Sequence, residues 1–106
     1  MASAGNGEPR FRVHFSGVTK ENVHQIQRRA WQEGRGQAFV SAFRAIGLRL
    51  MSAPSDFGEP LYRLPALRMQ IRHAAIGPLL VYFGVCEDRP LVFIKEITLL
   101  PQKSPD

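Results

Sequence analysis

The stretch LLVYFGVCEDRPLVFI, Leu79–Ile94, decides the fold. Two nearly continuous apolar runs, Leu79–Val85 and Leu91–Ile94, are separated by a short turn that carries three charges and a proline. Apolar runs of this length between turn residues are typical of strands that are covered on both faces. Two strands joined by so short a turn pair in antiparallel fashion. The stretch therefore predicts the antiparallel centre of a sheet.

The segment that precedes this centre alternates between polar and apolar residues. Arg68–Ala75 ends at a Gly-Pro turn, and its two faces are Met69 and Ile71 on one side, with Arg68, Gln70 and Arg72 on the other. Strict alternation predicts a half-buried strand. We expect its arginines to face the open side of the sheet, away from the core. A further short strand, Leu61–Leu64, is expected between two prolines.

The N-terminal half predicts one strand and two helices. Arg10–Ser16 alternates as a half-buried strand does, which places His14 on the solvent side. Thr19 is the expected N-cap of a helix that runs to about residue 33. Apolar residues at helical spacing predict a second helix from about Gln37 to Met51. The three-residue connection between the helices makes them an antiparallel hairpin.

These elements predict an α+β two-layer sandwich. A helical hairpin packs on a mainly antiparallel sheet, in the chain order β-α-α-β-β-β(-β). The expected organisation is a flexible arm over residues 1–9, a single domain over 10–101 and a loose tail over 102–106.

The charge distribution is one-sided. The net charge is +5, and residues 1–53 hold eight Lys and Arg against three Asp and Glu, whereas the rest of the chain holds six of each. A basic surface favours an anionic partner such as nucleic acid, and the alternative is a solvated helix face that confers solubility. The predicted target-binding residues are Arg28, Arg29, Arg35, Arg44, Arg49 and Arg63.

Several classes of site find no support in the sequence. A single cysteine, Cys86, excludes an internal disulfide, and we expect it to be a small buried side chain. No phosphate-binding glycine motif occurs, and the three histidines lack metal-ligand spacing, so neither a metal nor a small-molecule cofactor is predicted. Without a signal peptide or an apolar run long enough to cross a membrane, the expected location is the cytoplasm, with no membrane partner.

The order and lengths of the elements resemble the RelE/ParE superfamily of bacterial toxins. The segments that carry the resemblance are LRMQIR, AAIGP, LLVYFGV, CED and RPLVFIKEITLL, within Leu67–Leu100. The resemblance implies a toxin of a type II toxin–antitoxin pair, which either cleaves mRNA on the ribosome without a metal or inhibits gyrase. It also implies an antitoxin protein as a partner, laid across the apolar face or the edge of the sheet.

The same resemblance suggests where catalysis would lie and what is missing. Where RelE-like enzymes carry two lysines at alternate strand positions, this chain has Arg68 and Gln70, and the later basic positions correspond to leucines. The candidate catalytic residues are therefore Arg68, Arg72 and His73, which could hold a phosphate and move a proton. Tyr82 lies inside an apolar run and is expected in the core.

Three functions remain open at this point. The first is a RelE/ParE-like toxin in which most RelE-type catalytic positions are not retained. The second is a catalytically inactive interaction module with the same fold. The third is a small basic nucleic-acid-binding protein that uses its helices.

Overall fold

The computed structural model of the protein describes residues 10–102. The fold is α+β, and the helices and strands follow the predicted order β-α-α-β-β-β-β. They are β1 (Arg12–Phe15), α1 (Gly17–Gln32), α2 (Gly36–Ser52), β2 (Glu59–Leu64), β3 (Met69–Ile76), β4 (Leu79–Cys86) and β5 (Leu91–Leu99). The predicted arm, residues 1–9, and residues 103–106 of the predicted tail lie outside the described residues.

The five strands form one sheet in the order β1-β5-β4-β3-β2. β1 runs parallel to β5, and the other neighbours pair in antiparallel fashion. The strand predicted from Leu79–Val85 is the central one, as expected. The expectation that it is covered on both faces is wrong, because the helices cover only one face and Leu80 and Tyr82 on the other face are half-buried. Within residues 10–102, no helix is both long and apolar enough to cross a membrane.

The core lies between one face of the sheet and the two helices. The side chains of β4 that point to the helices are fully or almost fully buried, and the helices cover them with their own apolar stripes. The largest of these buried side chains include Leu79, Val81 and Phe83 from β4, with Ile46 and Leu50 from α2. Each such side chain contributes about 1.5–3 kcal/mol to folding by leaving water.

The start of α1 differs from the prediction. Ser16, not Thr19, is the N-cap, because Ser16 has an extended backbone and its Oγ accepts the Thr19 N–H at 3.1 Å. Thr19 is buried one turn later, and its hydroxyl donates to the carbonyl oxygen of Ile94 on β5 at 3.4 Å. Thr19 therefore joins α1 to the sheet and does not cap the helix.

The two faces of β3 are also reversed relative to the prediction. Arg72 pairs in register with Phe83, a core residue, so its side chain points toward the helices, while Ile71 lies on the other side. Arg68 is not in the strand, because it has a left-handed backbone (φ 49°) in the turn before it. The residues of β3 alternate between the two faces as predicted, but Arg72 faces the helices and Arg68 precedes the strand.

The edge strand β2 is longer than predicted, and it is paired although it contains Pro60. It forms an antiparallel ladder with β3, with an irregularity between Pro60 and Tyr62. Proline has no N–H to donate to a neighbouring strand. An edge strand tolerates it because one side of that strand has no neighbour to pair with. The result is a sheet with one helix-covered face and one face turned away from the helices, which is called the open face below.

Candidate functional site on the open sheet face

One row of side chains crosses the open face from edge to edge. The register of all four strand pairs places five residues side by side in this central row: His14, Phe93, Gly84, Ile71 and Tyr62. A Cβ on Gly84 would lie 2.4 Å from Met69 Sδ, so the glycine leaves room for neighbouring side chains to close over β4. The central row therefore carries ring side chains toward both edges of the sheet, with the smaller apolar residues Gly84 and Ile71 between them.

Two ring pairs stack on this face. His14 lies against Phe93 with 5.4 Å between ring centroids, and His73 lies against Tyr82 at 5.8 Å, both nearly parallel. His14 is exposed, as predicted, and the other three are half-buried. Tyr82 was expected in the core, but its register partner His73 belongs to the open face, so the tyrosine lies there too. Exposed flat rings are the groups on which proteins stack nucleic-acid bases.

Lys95 reaches the same face through an irregularity in β5. Phe83 pairs with Ile94 and Tyr82 pairs with Glu96, so Lys95 is the extra residue of a bulge. Its Nζ lies 3.4 Å from the Tyr62 hydroxyl and 5.9 Å from the centroid of the tyrosine ring. An ammonium group beside tyrosine rings on an open surface is placed to meet a phosphate.

The bulge is held from the helix side. The Thr19 hydroxyl lies 3.4 Å from the Lys95 carbonyl oxygen, and the side-chain oxygen of Asn22 accepts the Ile97 N–H at 3.2 Å. α1 thus satisfies backbone groups that the irregular pairing releases, which fixes the position of the lysine. Sequence reasoning missed Lys95. The consecutive charged pair in LVFIKEITL interrupts an apolar strand, but it does not by itself indicate a bulge.

The predicted catalytic residues do not come together. His73 lies on the open face, whereas Arg72 points into the helix layer and is only 6% exposed. Arg68 lies in the turn before β3, with 69% of its side chain exposed and an ion pair of 4.0 Å to Asp88. Of the three, only the histidine is placed to meet a ligand on the open face.

Arg72 is used to hold the chain that follows α2. Its Nε donates to the Phe57 carbonyl at 2.9 Å, its Nη2 to the Gly58 carbonyl at 3.0 Å and its Nη1 to the Gln70 side chain at 2.7 Å. Among the described residues no carboxylate forms an ion pair with it. A guanidinium buried in this way is satisfied by carbonyl oxygens, and its role is structural.

Arg63 is paired with the turn after β4. Its guanidinium makes two hydrogen bonds to the Glu87 carboxylate, at 2.5 and 2.7 Å. The hydrogen bond from Arg63 lowers the pKa of Glu87 below its ordinary value, and the same contact raises the pKa of Arg63. A target would have to displace this carboxylate to use the arginine.

The arginines of the helical hairpin divide into bound and available groups. Arg35 donates to the Leu100 carbonyl at 2.8 Å and pairs with Glu33, while the Arg49 guanidinium lies 4.7 Å from the Phe57 ring centroid. Arg29 also pairs with Glu33, at 3.6 Å. Within the part of the chain that the structure describes, Arg28 and Arg44 form no ion pair. Arg29, Arg35 and Arg49 are therefore engaged in contacts within the protein, although Arg29 and Arg35 share one carboxylate and the contacts of Arg49 leave its charge in place.

The open face is suited to binding more than to cleavage. Glu59 lies opposite His73 and Glu96 opposite Tyr82, so the face carries little net charge. An imidazole beside a hydroxyl can move a proton, and Lys95 can neutralise a phosphate, but the central row holds no arginine to clamp one. No group of three or more metal-binding side chains occurs within residues 10–102.

Comparisons with known proteins do not assign the chain to a family. No family model matches it. No curated protein and no solved structure matches it either. The RelE/ParE resemblance therefore rests on the segments quoted above.

Proposed function

We propose that the protein is a RelE/ParE-like toxin that acts on RNA and binds single-stranded RNA on the open sheet face. The observation that carries the proposal is the presence of two ring stacks on one open face that also carries Lys95, whose Nζ lies beside Tyr62. The rings of His14–Phe93 and of His73–Tyr82 lie on the open face of the sheet, where His14 is exposed and the other three are half-buried. Stacking of a base on such a ring contributes about 1–3 kcal/mol and tolerates many sequences.

Single-stranded RNA suits this face better than duplex DNA does. The bases of a duplex are stacked on each other and are not free to stack on protein rings, whereas single strands offer them. The face has few cations, and contacts with a duplex depend mainly on cations. The order of elements and the segments within Leu67–Leu100 support the toxin part of the proposal.

The first experiment measures binding of a fluorescein-labelled single-stranded RNA by fluorescence polarisation. The wild type is compared with His73→Ala, Lys95→Ala and a double variant. We expect each single change to weaken binding about fivefold to tenfold, and the double change to weaken it more. Arg89→Ala is the matched control, because Arg89 is exposed in the turn between β4 and β5. Equal binding by wild type and double variant would contradict the proposal.

The second experiment tests toxicity by induced expression in a bacterial host. We expect growth arrest by the wild type and relief of that arrest by the His73→Ala/Lys95→Ala variant, with mRNA integrity followed in parallel. Loss of mRNA would identify a ribonuclease, and arrest with intact mRNA would identify RNA binding as the toxic step. Arrest that the double variant retains would place the toxic surface elsewhere.

A second candidate function is a non-toxic interaction module. Its supporting observation is that Arg72 and Arg63 are both engaged by other groups of the protein, so that two cations expected at a phosphate are occupied. Normal growth on induction, together with RNA binding that none of the open-face variants changes, would favour this module.

A further inference from the structure

The helical hairpin carries a groove that the open face does not involve. It lies between α1 and α2 and has a volume of about 550 Å3. Ten residues line it, and they include Phe15, Phe39 and Phe43 as well as Lys20, His24 and Arg44. No carboxylate is among these residues, so the groove has an apolar floor with cations at its rim.

The floor is aromatic and continuous with a second cavity. Phe39 and Phe43 stack with 5.6 Å between centroids, and Phe15 lies 6.4 Å from Phe43. A smaller cavity of about 170 Å3 shares Phe15, Phe43 and Gly47 with the groove and extends the apolar surface toward Met51. Phe39 belongs to the core and is buried, whereas Phe15, Phe43 and Gly47 are half-buried and Val40 is exposed, so these four residues form the accessible apolar surface of the groove. An accessible apolar surface between two helices is typical of a protein-docking site.

Gly47 gives the groove a notch. A Cβ built at this position would meet no atom within 4 Å, so the space beside α2 is empty. A glycine inside a helix costs about 1 kcal/mol relative to alanine. The helix therefore loses stability at the point where a partner side chain could approach its backbone.

The positive charges at the rim of the groove indicate the chemistry of its partner. Lys20 and Arg44 lie on opposite helices, and His24 lies one turn after Lys20. Within the described residues none of the three forms an ion pair. Opposite charge on the partner would meet both rims, while acidic residues at the floor would be buried without partners.

We propose that this groove binds an acidic amphipathic helix of another protein. Its apolar side chains, at helical spacing, occupy the phenylalanine floor and the Gly47 notch, and its carboxylates meet Lys20 and Arg44. A nucleic acid fits less well, because its phosphates would use the two cations but leave the apolar floor exposed. The proposal is independent of the RNA site on the other side of the sheet.

The test uses a display library of random helical peptides about four turns long, selected on the full chain. We expect the selected peptides to be acidic, with apolar residues at i, i+4 and i+7. Gly47→Leu, which fills the notch, should weaken their binding at least about tenfold, and Lys20→Glu/Arg44→Glu about as much. Gly47→Ala, which fills only part of the notch, should weaken binding less than Gly47→Leu does.

Matched controls separate the groove from general effects. Leu48→Ala removes an exposed apolar side chain of α2 outside the groove, and Arg89→Glu makes the same kind of charge change in a distant turn. Both should bind like the wild type, and melting curves should show that the Gly47→Leu variant remains folded. Failure to select any peptide, selection of basic peptides, or peptide binding that Gly47→Leu leaves unchanged would overturn the proposal. So would a single-stranded RNA that competes for the groove and loses affinity in the charge-reversed variant.

Discussion

Arg72 and His73 are neighbours in the chain, but they belong to opposite faces of the sheet with different requirements. On the helix side, Arg72 is 6% exposed, and three acceptors surround its guanidinium. On the open side, His73 is half-buried, and its ring stacks on Tyr82. The Arg72 side chain stabilises the fold, whereas the His73 side chain is available to a ligand.

The difference shows that residue type alone does not identify a functional side chain. An arginine is the more obvious phosphate ligand, but here its donors are used by the backbone carbonyls of Phe57 and Gly58. Because buried polar groups must be satisfied, the helix-side face tolerates few changes. Substitutions should therefore lower stability on one face and ligand binding on the other.

The largest effect is expected at Arg72. Arg72→Ala removes a buried guanidinium and leaves the carbonyls of Phe57 and Gly58 without their donor, which should cost about 3 kcal/mol of unfolding free energy. Arg72→Lys keeps the charge but cannot reach both carbonyls in the same way, so it should rescue little. Chemical denaturation with Arg68→Ala as the exposed control checks this. A loss below about 1 kcal/mol would show that water replaces the side chain and that the two faces do not differ as argued.

The second largest loss of stability is expected at Gly58, whose carbonyl oxygen accepts a hydrogen bond from Arg72. Gly58 has a φ of +69°, and a Cβ there would lie 2.0 Å from the His73 carbonyl oxygen. Gly58→Ala should therefore destabilise the protein by about 2 kcal/mol or more. Gly47→Ala is the matched control, since no atom lies within 4 Å of its Cβ, and it should stabilise the protein by about 0.5–1 kcal/mol. Similar melting temperatures for the two variants would contradict this account.

The sequence predicted the elements well because hydrophobic periodicity and turn residues are local signals. Both helices, the central run and the antiparallel pairing follow from such signals. The sequence did not predict which face of β3 meets the helices, because both faces of that strand carry apolar residues. Alternation gives the period but not the direction, and the direction here depends on contacts between Arg72 and a loop about 15 residues earlier in the chain.

The site was predicted less well for a related reason. His73 was among the candidates, but Lys95 reaches the open face only because a bulge adds a residue to β5. The groups that stabilise this bulge, Thr19 and Asn22, lie more than 70 residues away in the chain. Long-range contacts of this kind leave no pattern in a short window of sequence.

A smaller effect on stability is expected on the open face, where binding should change as well. His73→Ala should lower the unfolding free energy by about 1 kcal/mol, because His73 is half-buried and its ring stacks on Tyr82. Binding of single-stranded RNA should depend weakly on salt. With Lys95 as the phosphate contact, the slope of log K against log salt should be about −0.7 and should approach zero in Lys95→Ala. A steep slope that Lys95→Ala does not change would place the RNA on the basic helices instead.

The smallest effect is expected at the Arg63–Glu87 pair, which sharpens the contrast between the two environments of arginine. Arg63 pairs with Gln70, two residues before Arg72, so both arginines lie on the same side of the sheet. Arg63, however, lies on the edge strand in solvent, and its partner is a carboxylate. Because Arg63 lowers the pKa of Glu87 below the ordinary value of 4.5, the stability that the pair contributes is fully present above that pH. It is lost as the pH falls through the lowered pKa.

Melting temperatures of the wild type and Glu87→Gln should therefore differ slightly at neutral pH and converge in acid. High salt should reduce the neutral-pH difference, because the pair is exposed and screened. Arg72→Ala should show neither behaviour, since its acceptors are backbone and amide oxygens that do not titrate. If instead the Glu87→Gln difference persisted in acid and in high salt, the pair would act as a buried contact, and the distinction between the two arginines would fail.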